Sequence, residues 1–346
     1  MKVRKRKLVL ILAGVVAACY VVSGCMLKMM GAGEMDARIA KIRKVTVSLA
    51  ECEPGEYSKE SEDYFEYYGL GVESEVAGVE HFFGTFESGD YTLAGHIYRP
   101  GEYAATVVVL HGYMNHCGQL KHLIRDLLGR RYAVAIFDMP GHGLSSGKRG
   151  AIEEYRQYRQ TVADFMGVAR GKTDGPYYLI GFSNGGGVAI DYLLRGEESE
   201  FEKVVLVAPL VRNVAWEWSK VGYWLYRPFR AAVPRKLRRN SSDEEFLEFS
   251  WHKDWLHCRG VPMEWIGAVQ RWNEKIEKAG TSDMAVKVIQ GSNDTTVSWK
   301  YNVDFVKDKF GNVEVSMIEA GRHELFNESA SIRNKVFEEI ADYLQK

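Results

Sequence analysis

Two copies of Gly-x-Ser-x-Gly occur in the chain, Gly143-Leu144-Ser145-Ser146-Gly147 and Gly181-Phe182-Ser183-Asn184-Gly185. A serine hydroxyl becomes a useful nucleophile only when a base takes its proton and a third group orients that base. The pattern alone does not choose between the copies, so their surroundings must. A nucleophile elbow needs a strand running in, a helix running out, and small residues where the two nearly touch. Ser183 has the apolar run YYLIG before it and GGGVAIDYLLRG after it. Ser145 sits in GHGLSSGKRG, whose glycines and serines read as a loop. Ser183 is therefore the expected nucleophile and Ser145 a loop hydroxyl.

The partners of such a serine follow in the chain order Ser, Asp/Glu, His. Of the nine histidines, His252, His257 and His323 follow Ser183. His323 alone lies beyond the last apolar run, so it is the expected general base. The acid belongs in the loop after the preceding strand, where AVKVIQ runs into Gly291-Ser292-Asn293-Asp294. Asp294 is the expected orienting carboxylate. Asp304 and Asp308 fit a solvated helix face, and Glu319 is a weaker alternative. The backbone N–H of Asn184 is one expected oxyanion donor. The other should come from the loop after ATVVVL, which reads His111-Gly112-Tyr113, so the Tyr113 N–H is the candidate. His111, His116 and His142 fit hydrogen bonds that brace loops. No metal or cofactor is expected, because no pair of carboxylates or histidines shows ligand spacing.

The elements that must carry these residues can be read from periodicity. Phe82–Glu87 and Tyr91–Arg99 look like a hairpin. Ala105–Leu110, Tyr132–Phe137, Tyr177–Phe182, Lys203–Ala208, Ala285–Gln290 and Val313–Ile318 are β-branched and nearly unalternating, as strands covered on both faces are. Helical stretches such as Gln119–Gly129, Ile152–Arg170 and Gly186–Gly196 lie between them. This rhythm predicts an α/β fold with a mostly parallel central sheet flanked by helices. The interval Val211–Asp283 is too long for a crossover and predicts an inserted, mainly helical cap over the carboxyl ends of the strands. Residues 26–80 read as a spacer and N-terminal extension, with helical spacing over Glu34–Ala50. Residues 81–346 read as the main domain.

The matching segments VVVLHGYMNHCG, YAVAIFDMPGHGLSSGKRG, YYLIGFSNGGGVAIDYL, VIQGSNDTTV and EAGRHELFNE resemble, in order, the monoacylglycerol lipase/lysophospholipase branch of the α/β-hydrolases, grouped with serine aminopeptidases. The resemblance covers about Phe82–Leu344. It implies a triad of Ser183, Asp294 and His323 with Tyr113 and Asn184 at the oxyanion hole. The chain departs from the family pattern at Asn115, where a Glu is usual, and in its elbow, where Gly-His-Ser-Met-Gly is common.

The net charge of −1 offers nothing for nucleic acid. It hides an asymmetry: Lys2, Arg4, Lys5, Arg6 and Lys7 precede the uncharged run Leu8–Val22, which ends in Val22-Ser23-Gly24-Cys25. Residues 1–25 thus read as an export signal that resembles a bacterial lipobox, with Cys25 the lipidated residue. The alternative is an uncleaved signal anchor. Either reading expects a membrane-tethered protein in the bacterial cell envelope with its catalytic domain exported. The five cysteines are too few and too scattered for a disulfide framework; Cys52, Cys117 and Cys258 are expected as free thiols.

Val211–Asn240 holds eight basic residues and one acid, together with Trp216, Trp218, Tyr223, Trp224, Tyr226 and Phe229. Such a segment fits a lipid interface, with aromatics at headgroup level and cations toward anionic lipid. It also fits a cap whose aromatics pack inward. The expected reaction is hydrolysis of a lipid-like ester, such as a monoacylglycerol or lysophospholipid, through an acyl-enzyme. Amide or thioester cleavage, including aminopeptidase action, is the alternative; Glu217, Asp243, Glu244 and Glu245 are the cap carboxylates available to bind a free amine. A non-catalytic lipid-binding lipoprotein is the alternative from another class.

Overall fold

The computed structural model describes residues 33–196, 199–235 and 237–346. The leader and Cys25 lie outside the described residues. Two compact units divide the chain after Val45. In the first, residues 33–45 form helix α1. Helical spacing continues to Ala50, yet the helix stops, because residues 47–49 serve a different pairing in the second unit. There Leu49 N–H donates to Thr85 O at 2.7 Å, Thr85 N–H donates to Val47 O at 2.8 Å, and Leu49 is fully buried. Burial of a leucine and two backbone hydrogen bonds outweigh local helix propensity.

Helix α2 (Lys59–Tyr68) starts where Ser58 Oγ accepts the Ser61 N–H, and turns Tyr64, Phe65 and Tyr68 inward. Phe65 meets Phe83 edge-on, with ring centroids 5.0 Å apart. Phe83 belongs to β1 (Val79–Ser88), which pairs antiparallel with β2 (Tyr91–Pro100). The strands β3 (Thr106–Leu110), β4 (Ala133–Phe137), β5 (Tyr177–Phe182) and β6 (Phe201–Val207) follow. β7 (Ala232–Pro234) and β8 (Gly260–Pro262) form a separate antiparallel pair, and β9 (Ser282–Gly291) and β10 (Phe310–Ile318) complete the main sheet. Its eight strands run in the order β1-β2-β4-β3-β5-β6-β9-β10, parallel from β4 onward. The helices α3 (Lys121–Gly129), α4 (Arg156–Ala169), α5 (Asn184–Arg195), α9 (Trp299–Lys309) and α10 (Ala330–Gln345) connect or follow them. This is the α/β-hydrolase fold. β3 and β4 are buried along their whole length, which explains their unalternating sequence. β9 and β10 each begin three residues earlier than their apolar runs; Ser282 and Asp283 open β9 and Gly311 and Asn312 follow Phe310 in β10, partly or fully exposed polar or small residues that break the apolar signal.

Between β6 and β9 lie α6 (Trp216–Tyr226), α7 (Glu244–Glu248), a π-helical turn at Phe249–Lys253 and α8 (Met263–Ile276), besides the β7–β8 pair. α8 holds this insertion on α5. Trp272 Nε1–H donates to Asp191 Oδ1 on α5 at 3.0 Å, and its ring stacks on Tyr155 at 4.2 Å. Near the acid loop, Val214 N–H donates to Thr296 O at 3.1 Å.

Candidate active site

Ser183 stands between β5 and α5 with φ 50° and ψ −113°, a conformation that non-glycine residues rarely adopt and that holds its side chain out of the turn. Its N–H donates to Val207 O at 2.9 Å, and its carbonyl accepts from Gly187 and Leu210 N–H. The sharp turn brings α5 against β3. A Cβ on Gly185 would stand 2.1 Å from Leu110 O, so no larger residue fits there. The small residues after the nucleophile are a consequence of this approach.

His323, on the loop after β10, reaches Ser183. Its Nε2 lies 2.9 Å from Ser183 Oγ, and its Nδ1 lies 2.7 Å from Asp294 Oδ2. With the proton on Nδ1 donated to the carboxylate, the Nε2 lone pair faces the hydroxyl. Asp294, on the loop after β9, accepts from Thr296 N–H at 2.7 Å, Val297 N–H at 3.2 Å and Gln290 Nε2 at 3.1 Å. Burial pushes its carboxyl up, but the His323 imidazole and these donors outweigh burial and hold it below the usual range. Burial alone would lower His323. The Asp294 charge and hydrogen bond, and then Glu324, raise it above the ordinary value, with Arg238 opposing. An imidazole so placed is a stronger base than free histidine and holds a proton more firmly once it has one.

Among the described residues, neither the Tyr113 nor the Asn184 N–H has an acceptor. Asn184 opens α5, where first-turn N–H groups have no partner within the helix. The side chains are otherwise engaged: Tyr155 Oη donates to Asn184 Oδ1 at 3.0 Å, and Tyr113 Oη donates to Gly150 O at 2.7 Å.

The second serine motif has a different task. Ser145 Oγ donates to Asp138 O and accepts the Ala94 N–H. Asp138 accepts from Cys117 N–H at 2.7 Å and Leu144 N–H at 2.8 Å, joining this loop to the oxyanion loop. Gly143 lies so close to Asp138 that a Cβ would overlap its carboxylate. His111 Nε2 accepts the Met139 N–H at 2.9 Å, and its Nδ1–H donates to Gly112 O at 2.8 Å. His142 Nδ1–H donates to Pro140 O, and His116 Nε2–H donates to Asp254 at 3.0 Å. These three histidines brace loops. Cys52, Cys117 and Cys258 are buried free thiols. Among the described residues, no group of three or more His, Cys, Asp or Glu is arranged to hold a metal ion.

An apolar cavity of about 440 Å³ lies in the insertion, walled by Trp216, Tyr223, Met263, Trp265 and Val269 and touching Thr296. It borders the site through Trp265, whose ring stacks on Tyr113, and through Thr296, two residues after Asp294. Arg238 is the one charged side chain on its wall among the described residues. None of Glu217, Asp243, Glu244 or Glu245 reaches that wall. Two participants left little trace in the sequence. Gln290 ends an apolar strand and donates to Asp294. Glu324 follows the histidine and is buried beside it.

Residues 101–330 match the family described as serine aminopeptidase, S33. The chain is 31% identical over 167 residues to phospholipase YtpA of Bacillus subtilis, a match covering 46% of this chain and 64% of that protein. The chain thus spans less than two thirds of that relative's length. It is 23% identical over 273 residues to the monoglyceride lipase of Mus musculus, covering 74% of this chain and 87% of that one. A solved structure of a soluble variant of monoglyceride lipase from Saccharomyces cerevisiae, bound to a substrate analog, aligns over 75% of this chain and 93% of its own with a TM-score of 0.67 at 19% identity.

Proposed function

The chain belongs to the serine aminopeptidase S33 family of α/β-hydrolases, and from that membership we propose that it is a serine ester hydrolase acting on single-chain lipids such as monoacylglycerols or lysophospholipids. The observation that carries this reading is the chain of contacts from Asp294 through His323 to Ser183 beside an apolar cavity of about 440 Å³. That volume is in the ordinary range for a lipid-sized ligand, roughly 300–1,000 Å³. The names of the phospholipase and the monoglyceride lipase support the same substrate class.

In this reading Ser183 Oγ attacks the ester carbonyl carbon while its proton passes to His323 Nε2. The oxyanion develops between the Tyr113 and Asn184 N–H groups. Collapse breaks the carbon–oxygen bond of the leaving alcohol, which takes the proton from Nε2. Water then enters by the same route, giving its proton to His323, and the acyl-enzyme is hydrolysed. Asp294 stays ionised throughout and stabilises the imidazolium. The aminopeptidase alternative needs a carboxylate near the scissile bond to hold a free amine. Among the described residues the cavity wall carries none, and Glu324, buried beside His323, is taken up by Asn115 and Asn240.

The same reading places the protein at a membrane. The sequence Val22-Ser23-Gly24-Cys25 supports lipidation at Cys25. The outer face of α6 supports contact of the cap with lipid, since Trp218 and Trp224 are mostly exposed there and Phe229 follows. Metabolic labelling with a fatty-acid probe, lost on Cys25→Ser, tests the anchor.

The deciding experiment incubates the full chain in mild detergent, beside Ser183→Ala, with a fluorophosphonate probe and then with a panel of short and long p-nitrophenyl esters, 1-monoacylglycerol, lysophosphatidylcholine and an aminoacyl anilide. Labelling and lipid-ester turnover that both vanish in the variant are expected. Turnover of the anilide alone would replace this reading with the peptidase. Neither labelling nor turnover would leave a lipid-binding protein.

A further inference from the structure

Glu324 is a buried carboxylate on the loop after β10. It is 4% exposed and directly follows His323. Asn115 Nδ2 donates to its Oε2 at 3.2 Å, and Asn240 Nδ2 donates to its Oε1 at 3.2 Å. Its own N–H donates to Asn240 O at 2.8 Å. These partners come from separate parts of the chain. Asn115 lies two residues after Tyr113, its N–H donating to Gly112 O at 3.1 Å, and so belongs to the oxyanion loop. Asn240 belongs to the insertion. Asn115 also donates to Gln119 Oε1, and Gln119 Nε2 donates to Asp254 of the insertion at 2.6 Å.

We propose that Glu324 is a positioning residue of the active site. Its carboxylate clamps the loop that carries His323 to the loop that offers the Tyr113 N–H, and places a second negative charge beside the imidazole. The inference rests on the reading of His323 as the base. The clamp uses both carboxylate oxygens, one toward Asn115 and one toward Asn240, and an amide would keep one acceptor of the two. The charge adds something an amide does not. The Asp294 carboxylate bonded to Nδ1, and after it the Glu324 carboxylate of the neighbouring residue, favour the imidazolium formed during each transfer, and the Arg238 guanidinium opposes it. Burial holds the Glu324 carboxyl above the ordinary range, against the pull of His323, the Arg235 guanidinium and the Asn115 and Asn327 amides.

The test compares the full chain with Glu324→Ala, Glu324→Gln and Asn115→Ala, measuring kcat and KM for a short soluble ester from pH 5 to pH 9 together with fluorophosphonate labelling. Glu324→Ala should lower the plateau kcat by about tenfold or more, as sub-ångström misplacement of a catalytic group does, with KM little changed. Glu324→Gln keeps one acceptor oxygen, enough for Asn115 or Asn240 but not for both, and removes the charge. It should recover part of that plateau while its acid limb moves to lower pH. Asn115→Ala should lower the plateau as Glu324→Ala does, and the two together should cost no more than either alone. Plateau and limb unchanged in Glu324→Ala would overturn the inference. So would a Glu324→Gln limb coincident with that of the unaltered chain. Should Glu324→Ala fail to fold in a thermal melt, the limb of Glu324→Gln still decides. Absence of labelling in the unaltered chain would instead sink the reading of Ser183 and His323.

Discussion

The indole of Trp265 lies flat on the phenol ring of Tyr113, with centroids 3.6 Å apart and planes 13° from parallel. Trp265 is in the first turn of α8 and lines the apolar cavity, and Tyr113 carries one of the two unpartnered N–H groups near Ser183. The insertion therefore touches the loop of Tyr113 directly, through a residue that also lines the cavity. Such a ring pair is worth about 1 kcal/mol beyond its buried area, or roughly fivefold in rate. Trp265→Ala should lower kcat/KM by roughly that factor on short esters and more on long ones, which lose a cavity wall as well. The comparison of two chain lengths checks this. Equal rates for both chains in the variant and the unaltered protein would separate the stack from catalysis.

Removal of the nucleophile or base should behave as removal of one unit. Ser183→Ala, His323→Ala and the double variant should each lose on the order of 10⁴-fold or more in kcat, with no further loss in the double. Asp294→Asn should lose somewhat less, because Nε2 still faces the hydroxyl in part of the population. Its acid limb should also move to lower pH, since Asp294 is the largest influence holding His323 above its ordinary value. In the unaltered protein the base must be neutral, so kcat/KM should rise through a limb that lies above about 6.5, the pKa of free imidazole. A pH–rate profile settles it, and a limb at or below that value would contradict the buried Asp294–His323 pair.

The second Gly-x-Ser-x-Gly gives the opposite expectation. Ser145 Oγ joins Asp138 O to the Ala94 N–H inside the fold. Leaving these groups unpaired costs about 1–3 kcal/mol. Ser145→Ala should therefore melt several degrees lower while labelling with fluorophosphonate at the unaltered rate. Loss of labelling at a temperature where the variant is folded would give Ser145 a part in the chemistry.

Stability should depend on pH through histidines that the fold buries neutral. Burial lowers His111 and His122 to about 4 and His257 to about 3, and takes His96 and His142 well below the ordinary value. In the unfolded chain these groups titrate near 6.5. As pH falls below that value the unfolded state takes up protons that the folded state does not, so their contribution is complete above about pH 6.5 and is lost on descent toward 4. At a fully buried group such as His111 each unit is worth about 1.4 kcal/mol. His323, raised, runs the other way: its contribution is present below 6.5 and fades as pH rises through its folded value. His81 is lowered by burial as well, and six groups against one give a melting temperature level near neutrality and falling steadily below pH 6.5. Thermal melts from pH 8 to pH 4.5 measure it, and a level curve throughout would be inconsistent with neutral buried imidazoles.

The elbow, the order of the triad and the buried strands were legible because each depends on local sequence. Strand-in, helix-out and small residues at the crossing are properties of a dozen consecutive positions around Ser183. The role of the GHGLSSG loop was only half legible. Its glycines announced a turn, but the need for them comes from Asp138, which Gly143 must nearly touch. Glu324 carried no signal beyond its place after His323. Its partners Asn115 and Asn240 lie 209 and 84 residues away, and no periodicity records such a meeting. The end of α1 was misplaced for the same reason, since the pairing of residues 47–49 with Thr85 is a tertiary event.

The outward face of α6 gives the last prediction. Trp216 and Tyr223 line the apolar cavity, whereas Trp218 is 77% exposed, Trp224 67% and the nearby Phe229 84%. One short helix is thus apolar toward both the cavity and its outer surroundings, with Arg227 and Arg230 just beyond its end. Exposed aromatics of this size are unfavourable in water and favourable at a lipid headgroup layer. Complete burial of one such side chain is worth about 1.5–3 kcal/mol, so each of Trp218→Ser, Trp224→Ser and Phe229→Ser should weaken binding to anionic phosphatidylglycerol vesicles by about tenfold or more. The measurement belongs in a Cys25→Ser background, so that no lipid anchor masks the contact. Turnover of a short soluble ester should stay unchanged, because these side chains point away from the cavity. Vesicle binding that ignores all three substitutions would assign the exposed face to something other than lipid.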